Sequence, residues 1–176
     1  VEEDIMVHII TLLTFCLSIF ITSNQFLERG EDKVREKEKM PKFTYHTLSG
    51  KRFSNNDLAN NKNYLFVYFN PLCELCKEEV EEILENIEVL EEVQIVLVSP
   101  SQLGEIELFK EYFKLSDYKQ VVVLHDSEDR FYLEFGAIGY PNMYLYNTKY
   151  ELIRYFDHAT GFREIQNALK PVLTKK

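Results

Sequence analysis

The chain has 176 residues, 45% of them apolar and 28% charged, with 5 Pro and 6 Gly; this suffices for one well-packed domain and excludes a disordered, collagen-like or low-complexity chain. Acidic residues outnumber Lys plus Arg by 29 to 20, for a net charge of -9, so no broad basic surface offers itself to nucleic acid, whose affinity is mostly phosphate neutralisation. Its 3 cysteines are too few for a disulfide-stapled scaffold or for a zinc site with four cysteine ligands.

Residues 5–27 are 23 consecutive positions without Asp, Glu, Lys or Arg. About 20 helical residues cross a bilayer core, and a soluble helix of that length would carry a polar face. Residues 1–27 are therefore expected to be a membrane-spanning anchor. A cleaved signal segment is the alternative, but no A-x-A-like site follows, and Ile21-Thr22-Ser23 is a weak substitute. Cys16 falls inside the span, as an apolar membrane cysteine. Residues 28–40 alternate charge signs with almost nothing apolar, which reads as a solvated tether. The basic residues Arg29, Lys33, Arg35, Lys37, Lys39 and Lys42 follow the span and none precedes it. The positive-inside rule alone would hold the main domain in the cytoplasm; the chain starts with Val, so residues before Val1 bear on that rule as well.

From residue 41 onward the pattern is that of a folded domain reaching residue 176. Residues 43–48 and 51–53 flank Ser49-Gly50 as a hairpin. Residues 64–69 (Y-L-F-V-Y-F) form a continuous apolar run, the mark of a strand covered on both faces; residues 93–98 and 121–124 repeat that character. Residues 73–90 and 103–113 read as helices between them. The result is an α/β chain with a β-α-β-α-β middle and a parallel or mixed central sheet flanked by helices. Residues 143–146 and 152–156, joined through Asn147-Thr148-Lys149, predict a closing hairpin, and residues 162–173 a final helix.

In the 73–90 segment Cys76, Val80, Ile83, Leu84, Ile87 and Leu90 make one stripe at helical spacing. Glu78, Glu81, Glu82, Glu85, Glu88 and Glu92 point away from it, as a solvated face does. Glu79 lies at the stripe's edge, where a carboxylate is partly desolvated. Cys73 and Cys76 form C-E-L-C directly after a buried strand, at the first turn of a helix. Free N–H groups and the helix dipole stabilise a thiolate on the first cysteine, and the second is within reach to close a small disulfide. The other readings are two buried structural thiols or half a metal site, for which His46, His125 and His158 are not obvious partners.

Three stretches resemble the membrane-tethered, thioredoxin-like thiol-disulfide oxidoreductases of the TlpA/ResA type: P-K-F-T-Y-H-T-L-S-G-K-R-F-S-N-N-D-L, Y-F-N-P-L-C-E-L-C-K-E-E and G-A-I-G-Y-P-N-M-Y-L-Y-N. The resemblance covers residues 41–173. It implies a thioredoxin-like fold, Cys73 as the attacking thiolate, Cys76 as the resolving thiol and Glu79 as a residue tuning the thiols. Pro141 would be held in a cis peptide facing the pair, with Tyr140 presenting its backbone to an incoming cysteine. No cofactor or metal is implied. Protein thiols or disulfides would be the substrates, an upstream redox protein would return electrons, and the domain would lie on the extracytoplasmic (periplasmic) side. The sequence departs from the pattern at Leu72, where Trp is usual, at Leu75, where Pro often stands, and at Asn142, where Thr is common. Glu74 and Glu79 put negative charge near the thiols, which favours a reductant or slow exchanger over a strong oxidant. A membrane-tethered binding module without turnover is one alternative. A peroxiredoxin-like peroxidase is another; it resembles P-x-x-x-T-x-x-C, and Asn70 occupies the Thr position.

Overall fold

The computed structural model describes residues 39–173. The expected anchor at residues 5–27 and the tether up to residue 38 lie outside them. Among the described residues no helix is long and apolar enough to cross a membrane.

Strands β1 (Thr44–Thr47) and β2 (Arg52–Ser54) form the first hairpin. Its turn closes with the Gly50 N–H donating to the Thr47 carbonyl at 2.8 Å, and Gly50 has a φ of 83°, a backbone that glycine adopts without strain. β3 (Asn63–Tyr68), helix α1 (Glu74–Glu85), β4 (Val93–Ser99), helix α2 (Leu103–Tyr112) and β5 (Val121–His125) follow. The short helix α3 (Phe131–Phe135), the hairpin of β6 (Asn142–Tyr146) and β7 (Leu152–Phe156), and helix α4 (Phe162–Leu173) complete the domain. One mixed sheet results, in the order β2-β1-β5-β4-β3-β6-β7. β3, β4 and β5 are parallel; β1 and β6 run antiparallel to their neighbours.

Every residue of β3 and β4 is buried, because both sheet faces are covered. Alternation along β3 separates two cores of different composition. Leu65 and Val67 face an aliphatic layer with Val80 and Ile83 of α1, Ile106 of α2 and Ile165 of α4. Tyr64, Phe66 and Tyr68 face an aromatic layer with Phe43, Tyr45, Phe131 and Phe135.

Two expectations change. The predicted helix over residues 73–90 ends at Glu85 and resumes as a 3-10 turn, Ile87–Leu90. Asn86 interrupts it by turning its side-chain amide back to the Glu82 carbonyl at 2.9 Å, the local competition with helix typical of Asn; Leu90 still reaches the core. Helix α3 was not expected. With 5 residues it is too short to show a period. Instead Asp126 holds its start, one carboxylate oxygen accepting from the N–H groups of Arg130 and Phe131, each at 2.7 Å.

Candidate active site

The site lies where β3 ends and α1 begins. Asn70 shapes the connecting loop: its side-chain oxygen accepts from the Leu72 N–H at 2.9 Å, and its carbonyl accepts from the Cys73 N–H at 3.0 Å. Cys73 is the residue capping α1. Its carbonyl accepts from the N–H groups of Cys76, at 3.1 Å, and Lys77, at 3.2 Å, and so starts the helix. Both cysteines are free thiols; Cys73 is half-buried and Cys76 fully buried, and the two side chains are in hydrogen-bonding contact. Burial pushes the Cys76 thiol far above its ordinary pKa. The Asn70 backbone N–H, bonded to the Cys76 sulfur, opposes that rise, while the Cys73 side chain and the Glu79 charge add to it.

Glu79, one turn along the same face, is buried at 2% exposure, deeper than the edge position expected from the stripe. One carboxylate oxygen accepts from the Thr160 N–H at 2.7 Å and, more weakly, from the Gly161 N–H at 3.4 Å. The other oxygen has no hydrogen-bond partner among the described residues. Desolvation raises the Glu79 pKa above the ordinary carboxylate value, the two backbone N–H groups oppose it, Glu82 raises it further and His158 lowers it. Glu82, expected only on the solvated face, has a partner too: it accepts from the Phe162 N–H at 2.8 Å. Two carboxylates of α1 thus satisfy the free N–H groups at the start of α4.

Because the folded pKa of Glu79 is raised, the native state binds more protons than the unfolded chain between 4.5 and that raised value. Stability therefore falls as pH rises through this window. Glu79→Gln keeps an oxygen for Thr160 and removes the charge. Its urea midpoint is expected to gain on the wild type from pH 4.5 upward and then hold a constant lead; parallel curves would contradict the assignment.

On the facing side, antiparallel pairing sets Tyr68 opposite Asn142. This carries Pro141 to the end of the sheet from which the Cys73 loop departs. The Tyr140–Pro141 peptide is cis. Asn142, buried, fixes the approach: its oxygen accepts from the Ile138 N–H at 2.8 Å and the Tyr155 hydroxyl at 3.2 Å, and its amide donates to the Pro141 carbonyl at 3.0 Å. Tyr140 is 38% exposed; its hydroxyl donates to that of Tyr68 at 3.3 Å, which donates to Asp129 at 2.9 Å. Burial raises the Tyr140 pKa, the hydrogen bond with Tyr68 opposes that rise, and nearby acidic groups add to it. Leu72, Leu75 and Ile138 are exposed apolar side chains around this end of the molecule. Among the described residues no group of three or more His, Cys, Asp or Glu is arranged to hold a metal ion.

The sequence nominated Cys73, Cys76, Glu79, Tyr140 and Pro141; it did not point to the loop-shaping hydrogen bonds of Asn70, to Thr160 or to the Tyr68–Asp129 pair. One signal was available for Asn142: an amide at the start of a buried strand needs hydrogen-bond partners.

Several solved structures share the fold. A secreted Mycobacterium tuberculosis disulfide oxidoreductase homologous to E. coli DsbE is 18% identical, with a TM-score of 0.63 over 77% of this chain and 98% of its own. A thiol:disulfide interchange protein of the thioredoxin family from Chlorobium tepidum is 17% identical, with a TM-score of 0.61 over 77% of this chain and 95% of its own. A thiol peroxidase from Chromobacterium violaceum is 9% identical, with a TM-score of 0.66 over 80% of this chain and 88% of its own. These similarities establish a thioredoxin-like fold. No curated protein matches the chain. The family model that does match spans residues 37–155, from the end of the tether through the thiol pair and the cis proline into the last strand, and by it the chain belongs to the AhpC/TSA family.

Proposed function

We propose that the protein is a thiol-disulfide oxidoreductase acting on protein disulfides through Cys73 and Cys76. The observation that carries this reading is the pairing of an accessible Cys73 at a helix start with a buried Cys76 in contact with it. The difference in exposure supports an order of events. The Cys73 thiolate attacks one sulfur of a substrate disulfide, that S–S bond breaks, and the departing sulfur leaves as a thiolate that takes a proton. Cys76 then loses its proton and attacks the Cys73 sulfur of the mixed disulfide. The second substrate thiolate departs, and the protein retains a Cys73–Cys76 disulfide. Two electrons and two protons pass to the substrate, so a dithiol protein upstream must return them.

Glu79 suits the second step. It lies one turn from Cys76 on the same buried face, and its raised proton affinity fits it to accept the thiol proton. Tyr140 and Pro141 offer backbone to the substrate chain. We extend the reading to location: residues 5–27 anchor the chain in a membrane, and the domain works on the extracytoplasmic side, as the resemblance to TlpA/ResA-type proteins implies.

The test is to mix the reduced full-length protein with a disulfide-bonded model protein and, separately, with hydrogen peroxide, and to follow loss of free thiols. Disulfide is expected to oxidise the pair at least about tenfold faster than peroxide at equal concentration, since the residue three before Cys73 is Asn70, with no hydroxyl to offer peroxide. The opposite ranking would make the protein a thiol peroxidase, and no reaction with either would leave a binding module. A membrane-impermeant maleimide applied to intact cells should label Cys73; labelling only after permeabilisation would overturn the extracytoplasmic placement.

A further inference from the structure

A groove of about 720 Å³ runs from the loop before Cys73 across the first turn of α1 to α2. Its floor is rigid. Phe113 packs on Phe109 with ring centroids 4.7 Å apart, and Phe109 packs on Phe69 of the core at 4.6 Å. Its walls expose large apolar side chains: Leu72 is 70% exposed, Leu108 67% and Tyr112 76%. Scattered single apolar residues on a surface are ordinary, but a contiguous set beside a reactive group marks a contact surface.

The rim is acidic. Glu74, Glu105 and Glu111 line it with a single cation, Lys77, which is already bound to Glu74 at 2.7 Å. Neither Glu105 nor Glu111 has an ion-pair partner among the described residues, and Glu105 is half-buried against the groove. Unpaired carboxylates around an apolar floor are complementary to an apolar side chain flanked by Lys or Arg. The chain's net charge of -9 draws such a segment in the same direction.

We infer that this groove docks the segment flanking the substrate's cysteine, and that it selects polypeptides carrying a large apolar residue beside Lys or Arg. The assignment rests on the oxidoreductase reading and names its substrate class. Leu72 and Glu74, the immediate neighbours of Cys73, both line the groove, so a chain lying in it passes beside the attacking residue. Apolar contact holds the segment, while the rim charges set which segments arrive fastest.

Two synthetic disulfide peptides serve as probes, identical except that one carries Lys and the other Glu on both sides of a Leu next to the cysteine. Reduced full-length protein is expected to react about tenfold faster with the Lys peptide at low salt, and the ratio should shrink as salt screens the rim. The double substitution Glu105→Gln, Glu111→Gln should bring the ratio close to one; Leu108→Ser with Tyr112→Ser should slow both peptides. Equal wild-type rates, or a ratio the glutamine substitutions leave intact, would overturn the groove's selectivity. Hydroxyethyl disulfide, too small to fill the groove, reports separately on the chemistry. If reduced protein reacts with no disulfide at all, the oxidoreductase reading fails; if it reduces the small disulfide but does not distinguish the peptides, only the groove assignment does.

Zero-length carbodiimide cross-linking of the Cys76→Ala protein held in mixed disulfide with the Lys peptide identifies the occupant. Links from Glu105 or Glu111 to the peptide's lysines support the assignment. Links instead to lysines of residues 33–42 of the same chain, or to a second copy, would give the groove to the protein itself and end the proposal.

Discussion

Cys73→Ser is expected to lower the rate of disulfide exchange by at least about 1,000-fold, because a serine hydroxyl is scarcely ionised where a thiol is. Cys76→Ala should behave differently. The first attack proceeds, nothing releases the product, and a mixed disulfide through Cys73 accumulates, visible on non-reducing gels as an adduct that a reductant removes. Glu79→Gln should separate the two steps again: formation of the mixed disulfide is unchanged, while release at neutral pH slows about 100-fold for loss of a proton acceptor. Wild-type release should climb with pH as the Glu79 carboxyl, raised by burial, ionises, and then level off. In the variant only solvent can take the proton from Cys76, whose own affinity for it is pushed up, so its release rate should keep rising about tenfold per pH unit. An unreactive Cys76→Ala protein would contradict the assignment of roles. Matching pH profiles would remove Glu79 from the chemistry and leave it a structural cap on α4.

The second large effect concerns stability. Phe131 is fully buried and joins the two halves of the aromatic layer. Its ring stacks on Phe135, with centroids 4.1 Å apart at 3°, and on Tyr68, at 4.5 Å and 8°. Phe131→Ala is expected to cost about 3–5 kcal/mol, a large part of the ~5–15 kcal/mol that stabilises a typical domain. It also removes the platform beneath Tyr68, the ring on which Tyr140 rests at 4.7 Å. Activity toward a protein disulfide should therefore fall through KM even in molecules that remain folded. Urea unfolding of the variant measures the first effect and steady-state kinetics the second. Phe131→Leu, which restores most of the volume without the stack, should recover more than half of the stability; a loss below about 1 kcal/mol for the alanine variant would mean that the layer repacks.

The parts of this architecture that were readable in the chain are those governed by local patterns. Y-L-F-V-Y-F announces its strand by length and apolarity, and the alternation of ring and aliphatic side chains over its first five residues matches the two cores, although Phe69 joins Leu65 and Val67. C-E-L-C followed by a helical stripe places the thiols, and the stripe's spacing brought Glu79 to notice. Long-range polar partners were not readable. The Thr160 and Gly161 N–H groups meet Glu79 across 81 and 82 positions, and Glu82 meets Phe162 across 80; periodicity within α1 can say only that Glu82 points outward. Helix α3 depends in the same way on Asp126, a cap that becomes one only after β5 has turned the chain. Asn86 shows a local limit as well, since a single amide ended a helix whose apolar stripe continued past it.

The chain contains 11 tyrosines and no tryptophan, so its near-ultraviolet emission lacks the indole that would otherwise dominate it. Tyr140 and Tyr68 are linked through their hydroxyls, and Tyr140 precedes the cis proline at the end of the sheet from which the Cys73 loop departs. A disulfide quenches a phenol beside it more strongly than two thiols do, and no indole is present to mask the change. Oxidation of the pair is therefore expected to lower the tyrosine emission, and Tyr140→Phe to shrink that change; a drop of equal size in the variant would mean that other phenols report it.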